Sequence, residues 1–298
     1  MLNHKFKSLI AYSDNKEILP LEKMKPKHAR FMSNSMIING FPENINEKHY
    51  EIKIINKTLN NYNLRYYISE NSKNDLIIFI HGGGFVIGDL NSYHHICLML
   101  MEAASRDLVS IEYPLAPEIK YPIIHDVVLK TVNLIIEKSS EYENIILCGD
   151  SAGANIALYV ASILKNKVKQ LHMIYPWLDM SLTTNSYERL KNDGHLFLSE
   201  SLLKWFREQY FNNDDFICDK SDYRYLNLDD IPATYVYACK YDRLYDDSIN
   251  FYQYLKDITK NAELSVYDNF IHGALFYSKY VPEVMEIIND FEKYVNME

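Results

Sequence analysis

A serine between two glycines is the pattern in this chain best suited to covalent chemistry. Ser151 lies in the motif G-D-S-A-G at 149–153, directly after the apolar run 144–148 and before a stretch of helical periodicity. A sharp strand-to-helix turn strains the backbone of its central residue and requires small neighbours, which the two glycines supply. The same turn places the backbone N–H of Ala152 at a helix N-terminus, where negative charge is stabilised. The motif therefore predicts Ser151 as a nucleophile.

A run of three glycines predicts the hydrogen-bond donors that such a nucleophile needs. Nine glycines serve all 298 residues, and three of them form the motif H-G-G-G-F at 81–85, at the end of a predicted strand. Serine attack on a carbonyl creates an oxyanion, which backbone N–H groups stabilise where no Cβ obstructs them. We therefore expect Gly83, Gly84 and Ala152 to form an oxyanion hole, and His81 to make a structural hydrogen bond.

A histidine and an aspartate near the C-terminus predict the partners of the serine. When a nucleophile lies on such a turn, the acid and then the histidine follow it along the chain. His272 is the one histidine beyond position 195, and it follows the last strand-like run as the expected general base. Asp242 follows the preceding strand and is expected to orient the imidazole. The neighbouring Asp246 and Asp247 are competing acids, but they resemble the acidic first turn of a helix.

Short apolar runs alternate with helix-period stretches along most of the chain. The runs predict eight strands, at 50–56, 63–69, 76–80, 108–113, 144–148, 170–175, 234–238 and 264–267. The clearer helices are predicted at 93–105, 124–139, 152–164, 199–211, 247–258 and 282–295. This alternation indicates an α/β fold, a mostly parallel central sheet of about eight strands flanked by helices. No helix separates the first two runs, so they predict an antiparallel hairpin at one edge.

Two regions interrupt the alternation. Residues 1–45 precede the first strand, and residues 180–229 separate the sixth strand from the seventh, a connection far longer than the usual 4–6 residues or so. We expect both regions to fold as a helical cap over the carboxyl edge of the sheet. The catalytic domain is then expected to span 46–298, with the second region as an insertion in it.

Four aromatic side chains are candidates for lining a substrate pocket. Phe85 lies beside the glycine run, and Trp205, Phe206 and Phe211 lie in an amphipathic stretch of the second interrupting region. Ordinary core or cap packing is the alternative for each of them. The 25 tyrosines would also allow a pocket with polar tips.

Taken together, these motifs resemble one family, the hormone-sensitive-lipase-like carboxylesterases with the α/β-hydrolase fold. The resemblance also draws on Y-P-L-A-P-E at 113–118, D-R-L at 242–244 and H-G at 272–273, and it extends from about residue 50 to the C-terminus. It implies a triad of Ser151, Asp242 and His272, the oxyanion donors named above, and a cap that bears the acyl pocket. The chain departs from the family pattern with Arg243 where proline is usual and Ala274 where phenylalanine is usual.

The resemblance implies hydrolysis of short- to medium-chain acyl esters through an acyl-enzyme, with no metal or organic cofactor. An amidase or formamidase, or a sugar-acetate deacetylase, would use the same three side chains. A small-molecule receptor on the hydrolase scaffold is a further alternative. The presence of all three members of the triad disfavours a receptor, because such receptors characteristically lose one of them.

Composition restricts the partners and the compartment. The net charge of −9 disfavours nucleic acid as a partner. The four cysteines, Cys97, Cys148, Cys218 and Cys239, form no C-x-x-C pair, which favours reduced thiols over disulfides or zinc. No signal peptide or membrane-spanning run is visible, so we expect a cytoplasmic protein that acts on a small-molecule ester. The family resemblance makes a homodimer plausible.

Overall fold

The computed structural model describes residues 1–14, 19–40, 52–69, 72–190, 198–212 and 219–297. Parts of both predicted cap regions, Cys218 and the first two residues of the first predicted strand lie outside these ranges. Within the described ranges, no helix is long and apolar enough to cross a membrane.

The described residues form one sheet of eight strands. They are β1 (Ile52–Leu59), β2 (Tyr62–Ser69), β3 (Lys73–Ile80), β4 (Arg106–Glu112), β5 (Asn144–Asp150), β6 (Gln170–Ile174), β7 (Ala233–Tyr241) and β8 (Ala262–Ile271). Their spatial order is β1-β2-β4-β3-β5-β6-β7-β8. Strand β2 is antiparallel to both of its neighbours, and the remaining pairs are parallel. The predicted mostly parallel sheet and its antiparallel edge hairpin are confirmed.

Helices cover both faces of this sheet. They are α1 (His4–Asp14), α2 (Pro26–Gly40), α3 (His94–Ala104), α4 (Ile123–Glu137), α5 (Ala152–Ile163), α6 (Asn185–Arg189), α7 (Glu200–Tyr210), α8 (Tyr245–Lys256) and α9 (Met285–Val295). Helices α3 and α9 share one hydrophobic core with one face of the sheet. Helices α4, α5 and α8 share the core on the opposite face.

Strand β3 shows why the apolar runs fold in this way. Its side chains alternate between the two faces of the sheet. Leu76, Ile78 and Ile80 belong to the core with α4 and α5, whereas Ile77 and Phe79 belong to the core with α3 and α9. A strand buried on both faces needs a continuous apolar sequence, which is what this stretch provides.

The parallel strands bring the predicted chemistry to one edge of the sheet. The glycine run 82–84 follows β3, and Ser151 follows β5. Asp242 follows β7, and His272 follows β8. The carboxyl ends of parallel strands meet at one edge, which is where ligands bind in open α/β sheets.

The N-terminal helices pack onto the catalytic side of the sheet. Phe6 of α1 is buried, with its ring 6.2 Å from that of Phe270 and 6.0 Å from that of Tyr277. Arg30 of α2 donates a hydrogen bond from Nε to the carbonyl oxygen of Val86 at 2.6 Å. Both helices are thereby held against the carboxyl end of β8 and the segments that follow β3 and β8. The domain boundary at residue 45 stays a prediction.

Candidate active site

Ser151 occupies a strained turn between β5 and α5. Its φ and ψ angles are 52° and −121°, a conformation that costs a non-glycine residue about 1–3 kcal/mol. Close packing on both sides explains the flanking glycines. A Cβ on Gly153 would lie 2.1 Å from the carbonyl oxygen of Ile80, and one on Gly149 would lie 2.6 Å from that of Gly153. The turn therefore fixes the serine at the carboxyl edge of the sheet by backbone packing.

The serine, the histidine and the aspartate predicted from the sequence lie in one hydrogen-bonded row. His272 Nε2 is 2.9 Å from Ser151 Oγ. His272 Nδ1 is 2.6 Å from Asp242 Oδ2. A carboxylate accepts hydrogen bonds and does not donate them, so Nδ1 carries the proton and Nε2 is free to accept one from the serine hydroxyl. This arrangement allows Nε2 to act as a general base toward Ser151.

The carboxyl group of Asp242 is held in place from its other side. The residue is almost completely buried, and its second oxygen accepts a hydrogen bond from the backbone N–H of Leu244 at 2.9 Å. The ring of Tyr175 meets the imidazole of His272 edge-on, with 4.9 Å between ring centroids. These contacts fix the orientation of the imidazole that faces Ser151.

The two competing acids serve the surrounding loops. Asp247 is buried, and its Oδ2 accepts hydrogen bonds from the backbone N–H groups of Leu178 and Asp179, both at 2.8 Å. Burial raises the pKa of Asp247 well above its usual value. Asp246 Oδ2 accepts the backbone N–H of Ser186 at 2.6 Å. Both carboxyl groups thus position the chain after β6, and Asp242 is the acid that meets His272.

The glycine run after β3 is shaped for a close approach of the backbone. Gly83 and Gly84 have φ angles of 94° and 59°, in the left-handed region that favours glycine. The N–H of Gly82 is already donated to Asp150 Oδ1 at 2.7 Å. The amides of Gly83 and Gly84, which both line the cavity beside Ser151, are therefore the candidates for binding an oxyanion, together with that of Ala152.

Asp150 anchors this loop from beneath. Its other oxygen, Oδ2, accepts a hydrogen bond from the hydroxyl of Tyr93 at 3.2 Å. The residue is buried, and burial raises its pKa to about 7. Because one carboxyl group binds Gly82 directly beside the nucleophile, it couples the position of the glycine run to that of Ser151.

His81 has the structural role expected from the sequence. Its Nδ1 lies 2.8 Å from the carbonyl oxygen of Gly82, and its ring stacks on that of Tyr113 at 4.3 Å between centroids. Burial lowers the pKa of His81 to about 4, so the ring is neutral near pH 7. Nδ1 therefore donates to the carbonyl and stabilises the glycine turn.

A cavity of about 410 Å³ opens over Ser151, within the usual size range of small-molecule sites. Its polar members include Ser33, Tyr93, Asp150 and His272. Its other members are mostly apolar: Leu9, Leu19, Pro20, Leu21, Met36, Ile37, Ile87, Trp177, Leu198, Leu202, Leu203, Phe206, Phe276, Tyr277 and Tyr280. No lysine or arginine is among the described residues of this lining.

Of the four aromatic candidates, the described lining includes Phe206 alone. Its ring covers Gly84 so closely that a Cβ there would lie 2.3 Å from it. The other three need correction, because they pack elsewhere. Phe85 stacks on Tyr210 at 3.8 Å between ring centroids. Trp205 and Phe211 are buried in the same core around α7.

The sequence interpretation expected the N-terminal region to belong to a cap that bears the acyl pocket, but it named none of its residues, and it missed the contribution of the chain after β8. Leu9 and Met36 come from the N-terminal helices, and Phe276 and Tyr280 come from the chain after β8. No local pattern distinguishes these residues from ordinary core residues. Trp177 could have been found, since it follows the carboxyl end of β6, the edge at which ligands bind in such sheets.

A buried histidine joins α7, which carries part of the cavity wall, to α5, the helix that follows Ser151. His125 Nδ1 lies 2.8 Å from the hydroxyl of Tyr210, and its Nε2 lies 3.0 Å from Asn155 Oδ1. Asn155 Nδ2 donates to the carbonyl oxygens of Trp177 and Ser221, at 2.9 and 2.7 Å. Its oxygen therefore accepts from Nε2–H, and Nδ1 accepts the tyrosine hydroxyl.

Arg243, which stands where the family pattern has proline, joins the loop of Asp242 to the cap insertion. Its side chain is buried and donates to the carbonyl oxygens of Leu198 and Leu190, at 2.6 and 2.8 Å. Leu198 lines the cavity. The departure from the family pattern thus positions part of the cavity wall.

The sequence and the fold of this chain are similar to those of known proteins. A family described as the alpha/beta hydrolase fold matches residues 77–276. An esterase of Acinetobacter venetianus is 27% identical over 231 residues, which cover 75% of this chain and 75% of that protein. An acetyl esterase of Salmonella schwarzengrund is 26% identical over 239 residues, covering 76% and 73% of the two chains. The solved structure of an esterase of Pyrobaculum calidifontis has the same fold, with a TM-score of 0.87, 22% identity and coverage of 99% and 98%.

Proposed function

Because the chain belongs to the α/β-hydrolase family, in its hormone-sensitive-lipase-like branch, we propose that it is a serine carboxylesterase acting on neutral, apolar acyl esters. Ser151 is the nucleophile, His272 the general base and acid, and Asp242 the group that orients and stabilises the imidazole. The observation that carries the proposal is the row of two hydrogen bonds, 2.9 and 2.6 Å long, that links these three side chains at the base of the cavity.

The proposed reaction has two acyl-transfer steps. His272 Nε2 takes the proton of Ser151 as Oγ attacks the ester carbonyl, and the oxyanion accepts hydrogen bonds from the amides of Gly83, Gly84 and Ala152. The tetrahedral intermediate collapses as the imidazolium protonates the leaving alcohol, which leaves an acyl-enzyme. Water then gives a proton to Nε2 and attacks the acyl group, and the acid is released as Ser151 regains its proton.

The cavity favours uncharged substrates with an apolar acyl group. Its walls carry leucines, isoleucines, methionine and phenylalanine, and its described lining has no lysine or arginine that would pair with an anionic ester. A sugar acetate needs several polar partners, because a buried hydroxyl without a hydrogen bond costs about 1–3 kcal/mol. The lining therefore disfavours the sugar-acetate alternative and favours short- to medium-chain fatty acyl esters.

The experiment that tests the proposal is hydrolysis of p-nitrophenyl esters, from acetate to decanoate, by the purified protein and its Ser151→Ala variant. We expect turnover that disappears in the variant. Ser162→Ala is a matched control, since that buried serine bonds the carbonyl of Tyr159 within α5. Retained activity in the Ser151→Ala variant would exclude the proposed nucleophile.

The same assay separates the alternatives. A well-folded protein that hydrolyses acyl p-nitroanilides faster than the matching esters is an amidase. A protein that binds the esters without turning them over is a receptor. The intact row of Ser151, His272 and Asp242 favours turnover, because its geometry serves proton transfer, which binding alone does not require.

A further inference from the structure

The first 40 residues differ in charge from the rest of the chain. They contain seven lysines and arginines and three acidic residues, whereas the whole chain has a net charge of −9. Lys23, Lys25 and Lys27 are exposed just before and at the start of α2. Two acidic groups lie near them: Glu118, which pairs with Arg30 and also attracts Lys27, and Glu22, which accepts the hydroxyl of Ser201. The three lysines and Arg30 outnumber these two acids. A basic surface thus lies on an otherwise acidic protein.

Large apolar side chains are exposed in the same region. Phe31 is 71% exposed and Ile38 45% exposed on α2, and Leu19 is 53% exposed just before it. Single exposed apolar residues are common on proteins, but several within 20 residues indicate an interaction surface.

The helix geometry places basic and apolar side chains on one face. Ala29 and Ser33, one turn apart on α2, are buried. Lys27, Phe31 and Ile38 are spaced by four and seven positions, which puts them on one face of a helix. Phe31 is two residues from Ala29, about 200° around the helix axis. This outward stripe therefore faces away from the protein.

The stripe lies next to the mouth of the cavity. Leu19 and Met36, which belong to the same segment, are about half exposed and also line the cavity. Tyr280, which is 45% exposed, joins them from the chain after β8. Residues that are both exposed and part of the lining mark where the cavity opens to the outside.

We propose that this face of the protein, formed by Lys23, Lys25, Lys27, Phe31 and Ile38 and here named the α2 docking face, binds an anionic lipid surface. Exposed apolar side chains enter the interfacial layer of a bilayer, and lysines beside them pair with anionic headgroups. Neither signal alone gives firm attachment. The binding itself does not depend on the proposed esterase activity, but docking at the cavity mouth would deliver lipid-borne esters to Ser151.

A bilayer fits the observations better than an acidic protein partner. The face consists of exposed lysines before and at the start of α2, beside an outward-facing apolar stripe on that helix. A lipid interface requires only apolar and basic groups side by side, which the stripe supplies. The first 40 residues carry a net charge of +4, so the remaining 258 carry −13 of the total of −9. Anionic headgroups would repel that net negative charge, which favours an orientation with α2 toward the membrane.

The test is sedimentation of the full chain, carrying Ser151→Ala so that no lipid is hydrolysed, with vesicles. We expect binding to vesicles of equal phosphatidylglycerol and phosphatidylcholine at low salt. Binding should fall at least fivefold with pure phosphatidylcholine, or in 0.5 M NaCl, because salt screens the lysines. A Phe31→Ser/Ile38→Ser double variant and a Lys23→Gln/Lys25→Gln/Lys27→Gln triple variant should each show a similar loss.

A matched control removes exposed apolar side chains elsewhere. Ile123 and Ile163 are 52% and 55% exposed at the start of α4 and the end of α5, and their double serine variant should bind the vesicles like the parent. Absence of binding to anionic vesicles would overturn the proposal, as would equal losses in the control. Binding to polyglutamate but not to vesicles would overturn it in favour of an acidic protein partner. Each variant with Ser151 restored should hydrolyse soluble p-nitrophenyl acetate normally, which separates loss of docking from failure of the proposed function.

Discussion

The two sides of the cavity are built on different physical principles. The base, formed by Ser151, Asp242, His272 and the glycine run 82–84, is held by directional hydrogen bonds and tight backbone contacts. The wall, to which the N-terminal region, α7 and the chain after β8 contribute, is held by the packing of apolar side chains. We call these parts the polar base and the apolar wall.

The difference predicts unequal tolerance to substitution. Chemistry at the polar base depends on donors and acceptors placed within a few tenths of an ångström, because preorganisation is what stabilises the developing charge. Apolar packing at the wall tolerates exchange of one hydrophobic residue for another at a cost of less than about 1.5 kcal/mol. Substitutions at the base should therefore abolish turnover, and substitutions at the wall should redistribute it among substrates.

The largest effect is expected from Asp242→Asn, which replaces a carboxylate of the polar base with an amide of the same shape. The amide can donate a hydrogen bond to Nδ1 of His272 and thereby favour the wrong tautomer, with the proton on Nε2. We expect kcat for p-nitrophenyl butyrate to fall about 10⁴-fold, with an unchanged thermal midpoint. The control is Asp246→Asn, at a carboxyl group that bonds Ser186, away from the imidazole. If both variants lose activity equally, the assignment of Asp242 is wrong.

The second prediction concerns the backbone packing of the polar base. Gly153→Ala places a methyl group 2.1 Å from the carbonyl oxygen of Ile80, so β3 and α5 must separate. We expect the free energy of unfolding, measured in urea, to fall by at least about 3 kcal/mol, because overpacking here involves rigid backbone. Gly273→Ala is the matched control. Its Cβ would meet only Phe276, at 3.5 Å, and its φ of 68° costs about 1–2 kcal/mol.

The polar base could be predicted from the sequence because each of its parts is local. The nucleophile turn needs small residues within two positions of Ser151, and this requirement leaves a pattern of consecutive letters. Parallel strands then bring loops that are distant in sequence to the same edge. The positions of Asp242 and His272 after β7 and β8 therefore followed from the order of the strands. Their hydrogen bonds lie where that order placed them, and their catalytic roles stay predictions.

The apolar wall could not be predicted in the same way, because it results from packing between distant segments. Phe85 is adjacent to the glycine run, but its φ of 64° and its stacking on Tyr210 take its side chain into the core. Leu9 and Met36 carry no signal that separates a cavity residue from a core residue. Arg243 bonds carbonyl oxygens 45 and 53 residues away, which no local pattern reveals.

The third prediction tests His125, the link between base and wall. Replacing it with alanine leaves the hydroxyl of Tyr210 and Oδ1 of Asn155 without this partner in a buried site. We expect a loss of about 2–3 kcal/mol in the free energy of unfolding at pH 8. We also expect a larger rise in KM than fall in kcat, because α7 would shift while the Ser151–His272 bond stays. A fall in kcat alone would contradict this role.

The same variant should also change the pH dependence of stability. Burial lowers the pKa of His125 to about 4, and the positive charge of Lys220 lowers it further. The carboxyl groups of Asp126 and Asp219 raise this pKa, but by less than burial lowers it. Between pH 4 and the unfolded value of about 6.5, the unfolded chain binds a proton that the folded chain does not. The free energy of unfolding therefore decreases as the pH is lowered through this window, by up to about 1.4 kcal/mol per pH unit. The variant lacks this contribution, so its deficit relative to the parent should shrink as the pH is lowered from 7 toward 4.

The smallest effect is expected from Phe206→Leu at the apolar wall. The ring of Phe206 covers Gly84, so a shorter side chain enlarges the cavity where an acyl chain would pass. One methylene in a hydrophobic pocket changes discrimination by about 1–3 kcal/mol at most. We expect the ratio of kcat/KM for octanoate over acetate to rise about threefold to tenfold, with little change for acetate itself. Trp205→Leu is the matched control, because this neighbour on α7 is buried outside the cavity and should leave the ratio unaltered while it lowers stability. An equal shift in the control would mean that chain-length preference follows the position of the whole helix, and that the wall is coupled to the base more tightly than its apolar packing implies.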